Sequence, residues 1–201
     1  MSTREAALAR GIRLEYLTIG WNLLEGVVGI VAGAWAGSIA LMGFGLDSGI
    51  EVFSGAVLLW RLKIDKRESE RAEGLAQRLV GTSFLLLSGY ILYDAVHSIL
   101  LKEPPRNSLP GIVLAIASLA AMPLLAAGKR AVARDLGSGA MHADSRQSDF
   151  CAYLSGILLV GLVLNAAAGW WWADPAAALV MVPIIAKEGV EALKGKSCCE
   201  S

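Results

Sequence analysis

Two carboxylates one helical turn apart are the sharpest chemical feature of the chain. Asp47 and Glu51 stand in the segment Ser38-Ile39-Ala40-Leu41-Met42-Gly43-Phe44-Gly45-Leu46-Asp47-Ser48-Gly49-Ile50-Glu51, which is otherwise almost entirely apolar. At positions i and i+4 of a helix they share a face, with Cβ atoms about 5–6 Å apart. In a low-dielectric setting two such groups repel, so either one keeps a proton or a cation sits between them. The plain alternative is a pair neutralised by a buried Arg or Lys. No basic residue lies deep in an apolar run apart from Arg146, so the spacing favours ion handling.

A second polar cluster runs from Met141 to Cys151 and contains His142, Asp144, Ser145, Arg146, Gln147, Ser148 and Asp149. On a helix Ser145 and Asp149 share one face, and Asp144 and Ser148 share another. One of these faces completes an oxygen-rich metal site with Asp47 and Glu51, with Ser145 or Asp144 as the fourth partner. In the other reading Phe150 to Trp172 crosses the membrane unaided, Asp149 lies at the edge, and the cluster is a loop whose carboxylates favour a helix N-terminus. Periodicity leaves both readings open. Asn22 and Glu25, which share the first apolar run with Glu15, are candidate cavity groups, and Ser148 is an accessory one. Asp94 and His97, three apart, suit an exit-side metal contact, although an interfacial hydrogen-bonded pair is the favoured reading.

These side chains must be held by membrane-spanning elements. Of 201 residues 55% are hydrophobic, and the 18 basic and 18 acidic residues are confined to a few stretches. A helix needs about 20 mainly apolar residues to cross a hydrocarbon core of roughly 30 Å. Six such runs, at about 12–36, 38–60, 78–101, 108–128, 145–168 and 171–193, predict an all-α fold: an integral membrane bundle of six transmembrane helices in a single domain over 1–201. The balanced charge removes any electrostatic case for nucleic-acid binding. No small-residue cleavage site follows the first apolar run, so no removed signal peptide is expected.

The basic residues segregate. Arg4, Arg10 and Arg13, then Arg61 to Arg78, then Lys129, Arg130 and Arg134, and finally Lys187, Lys194 and Lys196 fall on one side, and by the positive-inside rule that side is cytoplasmic, with both termini. The Lys102–Asn107 turn then faces outward. Arg61 to Arg78 mixes both charge signs and reads as a solvated helical extension without an active site. Trp170, Trp171 and Trp172 fit an interfacial aromatic belt, and Gly137-Ser138-Gly139 a flexible connection. Cys198 and Cys199 lack partner ligands for a closed metal site.

With these residues in place the chain resembles the cation diffusion facilitator family of divalent-metal transporters. The resemblance covers about Asn22 to Leu193 and rests on three blocks: Gly37-Ser38-Ile39-Ala40-Leu41 leading to Asp47 and Glu51, Ala143-Asp144 through Ser148-Asp149, and Asp174-Pro175-Ala176-Ala177-Ala178-Leu179. It implies a homodimer in the plasma (inner) membrane that exports zinc, cobalt, iron, cadmium or manganese from the cytoplasm, commonly against protons. It also implies a transport site shared by the second and fifth helices. By position Asp47 and Glu51 fall on the second-helix ligand pair and Asp149 on the acid of the fifth. Ser145 stands where the family often has His, which makes the expected site harder and leaves manganese or iron as credible as zinc.

The chain stops at Ser201, so the soluble domain that typically follows the last helix is not expected. Metal is cargo in this reading, and no resident cofactor is implied. The rival from another class is a non-transporting membrane metal sensor or assembly partner. An intramembrane enzyme is disfavoured, since no nucleophile–base pair or His-rich motif is present.

Overall fold

The computed structural model describes residues 3–63, 66–102 and 104–194. Among them are six helices and no strand: α1 (Thr3–Ala36), α2 (Ile39–Lys63), α3 (Lys66–Leu101), α4 (Leu109–Leu136), α5 (Gly139–Ala168) and α6 (Ala173–Leu193). Cys198, Cys199 and Lys196 lie outside the described residues.

Local chemistry explains where the helices stop. Gly37, Gly137 and Gly169 close α1, α4 and α5 with φ of 66°, 61° and 66°, a left-handed conformation that glycine adopts without a Cβ penalty. Ser108 and Ser138 open α4 and α5 as N-caps, their hydroxyls accepting from the backbone N–H groups of Gly111 at 3.2 Å and Met141 at 3.3 Å.

Five of the helices are long and apolar enough to cross a membrane. The remaining one, α6, has 21 residues, including Asp174, Lys187, Glu188 and Glu191. Unlike a water-soluble bundle, this one is apolar over its outer surface as well as in its core. Leu86, Leu100 and Leu124 are more than 70% exposed, whereas Glu15, Asn22, Glu25, Asp47, Glu51, Lys129 and Asp174 are buried. Lipid tails solvate an outward leucine, and polar side chains are tolerated only where protein surrounds them. The chain is therefore a multi-pass membrane protein.

The helices pair as α1 with α2, α3 with α6 and α4 with α5, and α1 also lies along α4. Small residues allow the close crossings, as expected where apolar burial supplies no drive between helices. A Cβ built on Gly45 would lie 2.7 Å from the Ile30 nitrogen, so α1 and α2 touch backbone to backbone. An apolar core of Phe44, Phe84, Leu154, Leu158, Met181 and Ile185 fills the centre, and Phe84 meets Phe150 edge-on with ring centroids 6.3 Å apart.

Several helices extend beyond the expected spans, α1 from Thr3 rather than near residue 12 and α3 from Lys66 rather than near 78, and two of the extensions bear on the site. The fourth, expected to end near residue 128, runs to Leu136, and the fifth, expected from 145, begins at Gly139. The Met141–Cys151 cluster is thus helical rather than a loop. Lys129 sits inside α4 with its side chain fully buried, which corrects the expectation that no basic residue lies deep in the bundle. Arg146, named above as the exception among the basic residues, is exposed.

Candidate metal centre

Asp47 and Glu51 lie eight and twelve residues into α2, about 12 and 18 Å along its axis at 1.5 Å per residue. That is the middle of the bundle. Both are buried, and neither oxygen of Asp47 nor Oε1 of Glu51 has a hydrogen-bond partner. The other oxygen of Glu51 accepts from Asn22 Nδ2 at 2.6 Å, which ties α2 to α1. Buried polar atoms are nearly always satisfied, so three orphan oxygens in one place suit a retained proton or a bound cation.

The fifth helix completes the cluster through Cys151. One ligand atom each from Asp47, Glu51 and Cys151 lie within 4.8 Å of one another, and all three residues are buried. Glu25 stands beside them: its Oε2 accepts from Ser48 Oγ at 3.3 Å and lies 3.8 Å from Cys151 Sγ, and its Oε1 accepts from Trp21 Nε1. Ser155 Oγ donates to the Cys151 carbonyl at 2.7 Å and lies 2.9 Å from Ser118 Oγ, so a turn of α5 is pinned against α4 at the depth of the thiol. Cys151 was not among the expected ligands, because it stands where the polar cluster gives way to an apolar run. The detectable signal was its register, since Ser148, Cys151 and Ser155 recur at helical spacing.

The other expected ligands are placed differently. Asp149 pairs with Arg130 of α4 and its side chain is 33% exposed. Asp144 pairs with Lys129. Ser145 is buried and donates to the His142 carbonyl at 2.6 Å, and Ser148 donates to the Asp144 carbonyl at 3.5 Å. The reason is rotational. Asp149 and Cys151 are two residues apart, about 200° around a helix with 3.6 residues per turn, so a phase that turns the thiol inward turns the acid away. Asp149 thus turns toward Arg130, whereas Ser148 is buried on the face of α5 that carries Cys151.

Asp94 and His97 stand apart from the centre. They line a cavity of about 400 Å³ with Trp35, Gly37, Met42 and Arg106, at the end of the bundle opposite the chain termini. Tyr90 Oη lies 3.5 Å from Asp94 Oδ2, and the rings of Tyr93 and His97 stack at 5.9 Å. The contact of each is with a tyrosine of its own helix, α3.

Two of the three blocks that carry the resemblance meet at that same end. Ser38 Oγ and the Ile39 N–H both donate to the buried Asp174 carboxylate, so the first turn of α6 caps the first turn of α2.

Comparison with known proteins agrees with this architecture. An uncharacterized transporter of Synechocystis sp. is 32% identical over 87% of this chain and 58% of its own length. The magnetosome protein MamB of Magnetospira sp. is 27% identical over 88% of this chain and 61% of its own. A cadmium, cobalt and zinc/H(+)-K(+) antiporter of Bacillus velezensis is 24% identical over 92% and 62%. The chain thus spans roughly three fifths of the length of these curated relatives. The family model of the cation efflux transmembrane domain matches residues 16–196, from the first helix through the last, and on that match the chain belongs to the cation efflux family.

Proposed function

We propose that this chain carries a divalent metal cation out of the cytoplasm, binding it at Asp47 and Glu51 midway through the bundle. The observation that carries the reading is the fully buried Asp47 carboxylate, both oxygens without a partner, facing Glu51 and the Cys151 thiol. Membership of the cation efflux family supports transport as the activity.

The donor set refines the choice of ion. The sequence suggested carboxylates and hydroxyls, a hard site open to manganese or iron. A thiol in the cluster is a soft donor and moves the preference toward zinc, cadmium and cobalt. One relative bears the names of those three metals. In this reading Cys151 is the fifth-helix ligand, Glu25 supplies the fourth donor, and Asp149 stays with Arg130.

Proton coupling follows from ligand chemistry. Carboxylates and thiols ligate metal only when deprotonated, so loading the ion releases protons and rebinding protons expels it. Alternating access would expose the centre first to the cytoplasm and then to the outside. The segregation of basic residues supports cytoplasmic termini and an outward Lys102–Asn107 turn in a plasma membrane. A homodimer is carried over from the family resemblance alone.

The test is zinc flux into sealed vesicles containing the purified chain, with a proton-sensitive dye inside. Zinc accumulation accompanied by alkalinisation of the lumen is expected, because lumenal protons displace the ion from its ligands and leave in exchange. A chain that binds zinc yet moves none would favour the sensor or assembly-partner reading.

A further inference from the structure

A second buried charge cluster lies toward the end of the bundle where α1 begins and α6 ends. The Lys129 side chain, on α4, is fully buried; its Nζ lies 3.3 Å from Glu15 Oε2 of α1 and pairs with Asp144 of α5. Glu15 is also fully buried, and neither of its carboxylate oxygens accepts a hydrogen bond. Two carboxylates against one ammonium leave one negative charge in excess when all three are ionised. An excess charge in a protein interior is costly unless something compensates it.

The cluster is continuous with the metal centre. A Cβ on Gly55 would lie 2.6 Å from Glu15 Oε1, so the Glu15 carboxylate presses against α2 one turn beyond Glu51. On α1 Glu15 and Asn22 are seven residues apart, two turns on the same face, and Asn22 Nδ2 donates to Glu51 at 2.6 Å. A polar column therefore runs from Asp47 and Glu51 through Asn22 to Glu15 and Asp144, in a bundle whose remaining interior is largely apolar. Ion-pairing alone would be served by one acid for the one lysine. The second acid, unpartnered at Oε1, leaves the cluster one positive charge short.

We infer that Glu15 and Asp144 form a second divalent-cation site, between the metal centre and the terminal end of the bundle, in which the Lys129 ammonium is the resident cation that an incoming metal ion displaces. The inference rests on the transport reading given above. When Lys129 withdraws, a divalent ion neutralises both carboxylates at once. When the ion moves on to Asp47 and Glu51, the ammonium returns and closes the column behind it. Lys129 is thus a positioning residue that ensures only one of the two cations occupies the site.

The decisive measurement is zinc stoichiometry by equilibrium dialysis of the full chain in detergent, with circular dichroism and gel filtration confirming the fold. Lys129→Met should bind one more zinc per chain than wild type, and adding Glu15→Gln should remove that extra ion. The extra ion should persist in Lys129→Met/Asp47→Asn, where the central one is lost. If folded Lys129→Met binds no more than wild type, the cluster is a structural ion pair and the inference fails. If Asp47→Asn alone keeps the wild-type stoichiometry, the central site fails independently. Should Lys129→Met not fold, Glu15→Gln decides the matter in vesicles. Zinc uptake at limiting zinc should fall at least tenfold and far less at saturating zinc, and an equal effect at both, or none, overturns the inference.

Discussion

The Ile39 backbone N–H donates to Asp174 Oδ2 at 2.9 Å, joining residues 135 positions apart in the chain. Ser38 Oγ donates to the other oxygen of the same carboxylate. One buried acid therefore caps the helix that carries Asp47 and Glu51, and fixes the start of α2 against the start of α6. Asp174→Ala would leave a buried amide and a hydroxyl unpaired, at about 1–3 kcal/mol each. Thermal unfolding in detergent should show a clear fall in midpoint, with Asp174→Asn intermediate because its amide oxygen still accepts.

Asp47→Asn should abolish zinc binding at the centre while the empty protein becomes no less stable. The amide keeps the shape and removes one of two repelling carboxylates. The expected pattern is a midpoint without zinc equal to or above wild type, and no rise on adding zinc, because a ligand stabilises only the state it binds. Calorimetric titration of both proteins checks the affinity directly.

Cys151→Ser replaces a soft donor by a hard one of similar size. Affinity for cadmium and zinc should fall roughly tenfold or more while manganese changes little, so the cadmium-to-manganese ratio is the quantity to measure. A ratio unchanged from wild type would remove the thiol from the ligand set.

Gly45→Ala should loosen the α1–α2 crossing, since the new methyl would lie 2.7 Å from the Ile30 nitrogen and 3.0 Å from the Gly29 carbonyl carbon. Overpacking of this kind costs about 1–3 kcal/mol. Gly49, four residues along the same helix, meets nothing within 4 Å. Gly49→Ala should be neutral or stabilise by up to about 1 kcal/mol through helix propensity alone. Unfolding midpoints of the two variants, compared in the same detergent, separate backbone contact from propensity.

Much of the architecture was legible in the sequence because it depends on local rules. Apolar runs long enough to cross a bilayer, ended by glycines able to adopt φ near 66°, mark the ends of α1 and α5 at Ala36 and Ala168. The one-turn spacing of Asp47 and Glu51 needed no tertiary information to place them on one face. What local pattern leaves undetermined is the rotation of each helix about its own axis. Packing of α5 against α4 and α2 decided that Cys151 faces the two carboxylates while Asp149 meets Arg130.

The same holds for Lys129. In sequence it belongs to a run of basic residues that looks like a membrane-edge signal. In the bundle α4 continues past it to Leu136, and α1 and α5 surround it with Glu15 and Asp144. A chain segment's own composition sets whether it becomes a helix and enters the membrane. Which side chains meet across helices depends on distances between segments far apart in sequence, and only the folded bundle brings those together.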